Sequence, residues 1–257
     1  MLRVDDRNPR ARALAERVQR ALPEGVELAA LPGDPCVVVG GDGHMLATMR
    51  ELGTSPTYLG LNAGHLGFLL NDCGSSEAVF AERVAQLAAG AFQTWHFPRL
   101  AMHAATPDGR TIQTTAVNDL YLERATGQTA RLHVVVDGEE VVRKLVCDGL
   151  LVATALGSTA YSFSAGGVPC HPLVRAVHIT PISPHAPRLS PLIVPLGTTI
   201  ALEALDVERR PVRAIADGVD MGSVVNMRVE QAESDVKLAF LEGHQFTRTL
   251  VHKVLRG

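Results

Sequence analysis

Apolar positions along the first third of the chain alternate between helical and extended spacings. In PRARALAERVQRAL, Leu14, Val18 and Leu22 recur every fourth residue, which predicts an amphipathic helix stopped by Pro23. CVVV, residues 36–39, is a short unbroken apolar run and predicts a buried strand. HMLATMREL reads as a short helix and PTYLGL as a second strand. SEAVFAERVAQLAAG predicts another helix, with Ser76 as N-cap, Glu77 in the first turn and Gly90 as C-cap. This strand–helix order favours a mostly parallel sheet covered by helices.

The pattern changes near residue 95. RLHVVVDGEEVVRKLV alternates around Asp137-Gly138, a dipeptide suited to a tight hairpin turn. PLIVPLGTTIALEAL, VRAIADGVDMG and VVNMRVEQA continue the strand-and-turn rhythm, and a helix is expected only after GSTAYS. The expected class is therefore α/β: an N-terminal α/β, mostly parallel-sheet domain over residues 1–95, and a β-rich domain over residues 96–235. A tail, about residues 236–257, is expected to return to the first domain. The short start, MLRVDD, predicts an N-terminal sheet whose edge strand is missing or truncated.

Composition narrows the partners. A net charge of −3 carries no basic footprint for nucleic acid or an anionic membrane, so neither is expected as a partner. The N-terminus is charged within five residues and no apolar run is long enough to span a bilayer, which points to a cytoplasmic protein. The four cysteines, Cys36, Cys73, Cys147 and Cys170, are scattered without a Cys-x-x-Cys pair and read as free thiols.

The candidate chemistry starts at Gly40-Gly41-Asp42-Gly43, where the first buried strand meets a helix. Glycines there let an anion approach backbone N–H groups at a helix N-terminus. The motif is neither a Walker A loop nor a dinucleotide G-x-G-x-x-G. A carboxylate inside a phosphate cradle suggests phosphoryl transfer, with Asp42 accepting the proton of an attacking hydroxyl. A tight turn whose Asp caps the helix is the alternative. Three further stretches gather polar groups: LGLNAGHLGFL (59–69) with Asn62, Gly64 and Gly67 after a strand, VNDLYLER (117–124) with Asn118 and Asp119 adjacent, and CDGLLVATALGSTAYSFSAGG (147–167).

Taken in order, GGDG, NAGHLGFL, VNDLYLER, CDGLLVATALGSTAYSFSAGG, ISPHAPRLSPLIVP and ADG resemble the NAD kinase family, over roughly residues 36 to 220. The resemblance implies an α/β domain and a β-rich domain with the substrate cleft between them. It implies NAD as acceptor, and ATP or inorganic polyphosphate as donor, with magnesium or another divalent cation. No dedicated protein cage for the metal is expected, and a homodimer or homotetramer is. Asp42 would be the general base on the adenosine 2′-hydroxyl of NAD, with Gly41, Gly43 and His44 at the phosphates. Phe68 would lie against the adenine or ribose. Asn118 and Asp119 would hold the adenine and ribose, Asp119 standing where the family usually has Glu. Asp148 would meet the nicotinamide end. Thr159, Ala160, Tyr161 and Ser164 would line the adenine–ribose pocket, and Asp217 would lie near the triphosphate or its metal. Two departures stand out: His44 replaces the usual Thr or Asn, and Leu156 stands where a hydroxyl often meets the ligand. Two other readings remain open, a non-catalytic NAD(P)-binding regulator and a GGDG-type lipid or sugar kinase.

Overall fold

The computed structural model describes residues 1–64, 67–74 and 76–256; His65 and Leu66, inside the NAGHLGFL stretch, lie outside the described residues. The chain forms two compact units, Met1–Phe97 with Asp235–Gly257, and Pro98–Ser234.

The first unit opens with β1 (Leu2–Val4), α1 (Pro9–Ala21), β2 (Cys36–Gly40), α2 (Asp42–Leu52), β3 (Thr57–Asn62), α3 (Glu77–Ala89) and β4 (Phe92–Phe97). Local chemistry sets the helix limits. The Asn8 side chain accepts the Arg10 N–H, and Pro9 occupies a first-turn position where a missing N–H costs nothing. The Ser76 hydroxyl accepts the Val79 N–H, and Gly90 ends α3 in the left-handed region at φ 66°. Helices cover both faces of the sheet. Ala11, Val18, Phe80, Val84 and Leu87 of α1 and α3 pack with Val37, Val39, Leu59 and Leu61. On the other face, Met45 of α2 lies over Gly60, where an added Cβ would come 2.6 Å from its methyl carbon.

The second unit is β-rich. It comprises β5 (Leu100–Ala105), β6 (Thr111–Ala116), β7 (Asp119–Arg124), β8 (Ala130–Val136), β9 (Glu139–Cys147) and β10 (Gly149–Thr154). There follow a four-residue helix, α4 (Tyr161–Ser164), then β11 (Ala176–Ile182), β12 (Leu192–Pro195), β13 (Ile200–Ala204), β14 (Val212–Ala216), β15 (Val219–Val224) and β16 (Asn226–Gln231). Two six-stranded antiparallel sheets result, ordered β12-β11-β10-β7-β14-β15 and β6-β5-β16-β13-β8-β9. Their inner faces share one core, in which Leu120, Leu122, Leu150 and Val152 of the first meet Leu132, Val134, Ile200, Leu202 and Val229 of the second. Asp137 at φ 49° and Gly138 at φ 84° make the β8–β9 turn, as the Asp-Gly pair predicts.

The chain then returns to the first unit as β17 (Val236–Leu241) and α5 (Phe246–Arg256). β17 enters between β3 and β4, giving the order β1-β2-β3-β17-β4; it runs parallel to β3 and antiparallel to β4. Buried Asn71 ties this insertion together. Its Nδ2 donates to the Gly60 carbonyl at 3.0 Å and to the Ala239 carbonyl at 3.1 Å, and its Oδ1 accepts the Leu241 N–H at 2.8 Å. One side chain thus bonds to β3 and to a strand nearly 170 residues away.

Replacing Asn71 leaves two carbonyls and one N–H buried without that partner. Asn71→Ala is expected to lower the unfolding free energy of the protein by about 3 kcal/mol, read from urea denaturation with unchanged slope. A loss below about 0.5 kcal/mol would show that water replaces the amide at this site.

Candidate active site

In the first unit, β2 ends at Gly40, Gly41 is the N-cap of α2 and Asp42 is its first residue. The Asp42 carboxylate turns toward residues 67–69, where Oδ1 accepts the Leu69 N–H and Oδ2 the Phe68 N–H, each at 3.2 Å. Two backbone donors on two oxygens fix the plane of the carboxylate. Gly67 makes this approach possible, because a Cβ there would run into the Asp42 carboxylate. Gly41 and Gly43 differ: an added Cβ at either would meet no described atom within 4 Å. Internal packing gives no reason for glycine at those two positions, whereas an anion approaching the helix N-terminus does. His44, the third residue of α2, packs against Gly40, and its buried Nε2 has no hydrogen-bond partner among the described residues. Phe68, expected against a ligand ring, has a buried side chain and reaches Asp42 through its backbone.

The second unit builds its candidate site around another carboxylate. Asp217, at φ 44° in the β14–β15 turn, accepts the N–H groups of Val117 and Asn118 at 2.8 Å and of Asp119 at 3.1 Å. Its own N–H donates to the Asp119 carbonyl at 3.0 Å. Three donors on one carboxylate hold the Asn118-Asp119 corner at the start of β7. From the other side, the Thr154 hydroxyl donates to the Val117 carbonyl at 2.7 Å and accepts the Gly157 N–H at 3.0 Å. Gly157 lies flush on the Asn118 carbonyl, which a Cβ would strike. Ser158 donates to the Ala155 carbonyl at 2.6 Å and accepts the Cys170 N–H at 3.0 Å, and Ser162 bonds to Thr180 at 2.9 Å.

These buried hydroxyls shape a turn that presents Ala160, Tyr161 and Ser164. Thr159 is itself buried, and Tyr161 is 37% exposed. Tyr161 meets Tyr121 edge to face at 5.1 Å. Leu156 is buried, so its apolar side chain belongs to the packing beneath the turn. Asp119 is also buried, and desolvation, with Asp217 beside it, pushes its carboxyl up to about 7. Nearby, a pocket of about 320 Å³ is lined by Glu123, Arg124, Asp148, Tyr161, Ile182 and Arg213.

The sequence reading singled out Asn118, Asp119, Asp148 and Tyr161 here but passed over Thr154, Ser158, Arg124 and Arg213. The small polar density of residues 147–167 was the available signal for the first two; nothing local marks the arginines. Among the described residues, no cluster of three or more His, Cys, Asp or Glu is placed to hold a metal ion. No described helix is long and apolar enough to cross a membrane.

Residues 117–242 match the family described as ATP-NAD kinase C-terminal domain. A relative named NAD kinase from Brucella suis biovar 1 (strain 1330) is 35% identical over 233 residues, 89% of this chain and 88% of its own length. Another, from Rhizobium meliloti (strain 1021), is 38% identical over 203 residues, 78% of this chain and 76% of its own. The solved structure of an NAD kinase from Archaeoglobus fulgidus in complex with ATP superposes with a TM-score of 0.74 at 26% identity, over 98% of this chain and 96% of that one. Yeast NADH kinase complexed with NADH gives 0.74 at 28% identity over 86% of this chain, which spans 65% of the yeast chain.

Asp119 carries a pH signature. Its folded-state pKa lies above the ordinary carboxyl value of 3.8, so the folded protein binds more protons than the unfolded chain between about 4 and 7. Stability supplied by this group is therefore present below that window and falls as pH rises through it. Asp119→Asn is expected to remove a decline on the order of 2 kcal/mol from the wild-type stability profile, measured by denaturation at pH 5 and pH 8. Identical slopes in both proteins would place the Asp119 carboxyl in water.

Proposed function

The chain belongs to the NAD kinase family, and from that premise we propose that it transfers the γ-phosphoryl group of ATP to the adenosine 2′-hydroxyl of NAD, giving NADP. The observation that carries the chemistry is the Asp42 carboxylate at the head of α2, oriented by the Phe68 and Leu69 N–H groups and flanked by glycines open to an anion. In this reading Asp42 takes the proton of the 2′-hydroxyl as its oxygen forms a bond to the γ-phosphorus. The bond to the β,γ-bridging oxygen breaks, and ADP leaves with that electron pair. Most of the catalysis is then positioning and electrostatics.

The α2 N-terminus at Gly41 and Gly43 faces the charge of the transferred group. The His44 N–H is spent on the Gly41 carbonyl at 3.0 Å and its Nε2 is buried, so His44 acts at the phosphates through the helix end it belongs to. A divalent cation such as magnesium would be held in large part by the triphosphate it accompanies. When bound, it supplies neutralisation of the phosphate charge. Asn118 and Asp119 bind the adenine and ribose, and an Asp119 carboxyl that holds its proton near neutral pH can donate as well as accept. Thr159, Ala160, Tyr161 and Ser164 form the wall of that site, with the Tyr161 ring as its aromatic surface; Phe68 serves the first unit by orienting Asp42 through its N–H. Asp148 meets the nicotinamide end. Asp217 is spent on three backbone donors, so its part is to hold the Asn118-Asp119 corner, in preference to meeting the triphosphate or metal directly. Relatives named NAD kinase, matching over most of both chains, favour this reading over a lipid or sugar kinase. The oriented Asp42 favours it over a regulator without chemistry.

Asp42→Asn keeps the size of the side chain and an acceptor for one N–H but removes the base. It is expected to lower kcat by about a thousandfold or more while NAD affinity, measured by calorimetry, changes less than about threefold. Parallel loss of binding and turnover would instead make Asp42 a binding residue.

A further inference from the structure

The pocket of about 320 Å³ in the second unit has an unusual charge arrangement. Of its six lining residues, two are cations and two are anions, and they are paired. Arg124 Nε lies 2.9 Å from Asp148 Oδ1, with the two side chains 38% and 31% exposed. Arg124 is held in place by more than this contact, because its N–H donates to the Asp148 carbonyl at 2.8 Å and its Nη1 to the Thr126 carbonyl at 2.7 Å. Arg213 lies 2.6 Å from Glu123, its cross-strand partner, and 3.0 Å from Asp220. The Tyr161 phenol at this pocket is held above its ordinary pKa by burial, with Glu123, Asp119 and Asp148 adding to it. The acids therefore project their field onto the pocket, and each of the two lining carboxylates has an arginine within ion-pair distance.

We propose that the Arg124–Asp148 pair sets this protein's preference between the oxidised and reduced dinucleotide. This rests on the reading above that Asp148 meets the nicotinamide end. The oxidised ring carries a positive charge and the dihydro ring carries none. A bare carboxylate beside the ring would favour the cation. Asp148 is not bare: a guanidinium held at its far end by the Thr126 carbonyl, on a residue whose main chain is itself bonded to Asp148, cancels much of its charge and leaves little electrostatic distinction between the two forms. Arg213 does the same for Glu123. The pocket is accordingly built to accept either redox form, with Arg124 as the specificity-determining residue.

The test compares kcat/KM for NAD and for NADH in one preparation of the full chain, following NADP and NADPH by chromatography. The wild type is expected to phosphorylate both. Arg124→Gln exposes the Asp148 charge and should raise the NAD-to-NADH ratio about three- to tenfold, the range for one unit charge acting through a partly solvated pocket. Arg124→Lys should keep the wild-type ratio. Asp148→Asn reads the same charge without disturbing the arginine stem and should lower the ratio, and the double variant should return near the wild-type value. A ratio unchanged within twofold in both Arg124→Gln and Asp148→Asn, with both substrates slowed equally, would overturn the proposal and reduce the pair to a structural link while leaving the kinase reading intact. A wild type that phosphorylates neither dinucleotide would overturn the kinase reading and this inference together.

Discussion

Two backbone N–H groups on one carboxylate, those of Phe68 and Leu69 on Asp42, are the contact on which the first unit's chemistry depends. Their position is not a local property of the loop. Two residues later, Asn71 is bonded to Gly60 of β3 and to Ala239 and Leu241 of β17. The returning tail strand therefore fixes the segment that orients the carboxylate, and Gly67 supplies the clearance that lets the two approach. Stability and the proposed catalysis share these contacts, since the strand insertion that closes the sheet also aims the carboxylate proposed as the base.

The second unit uses the same device for a different end. Asp217 gathers three N–H groups from residues 117–119, and Thr154 takes the Val117 carbonyl from the opposite side. In a buried corner, unsatisfied backbone groups would each be costly, and one carboxylate satisfies three. The cost falls on Asp119, whose own carboxyl is desolvated beside Asp217 and so keeps its proton to about 7. A structural carboxylate thus adds to the burial that raises the pKa of its neighbour.

Features encoded over a few residues were legible in the sequence. Ser76 and Gly90 bracket α3, Pro23 follows α1, Asp137-Gly138 turns the β8–β9 hairpin, and CVVV is a fully buried strand running into the GGDG turn. The α/β class followed from that periodicity. What escaped is long in range. Periodicity cannot show that β17 pairs with β3, that Asn71 bridges them, or that Asp217 caps residues about 100 positions earlier. The motif around Phe68 likewise does not show that its ring is buried or that its N–H reaches Asp42, 26 residues earlier. Arg124 and Arg213 lie among surface charges in the sequence, and only strand register sets them beside Asp148 and Glu123.

The central claim is the position of the transferred phosphate, and phosphorus NMR of the purified reaction product reads it directly. Incubating the full chain with magnesium, ATP and NAD should yield ADP and one new phosphomonoester resonance, coupled through the adenosine ribose to the 2′-proton. A new resonance coupled to a different ribose carbon, or ATP consumed to inorganic phosphate with NAD unchanged, would contradict the account.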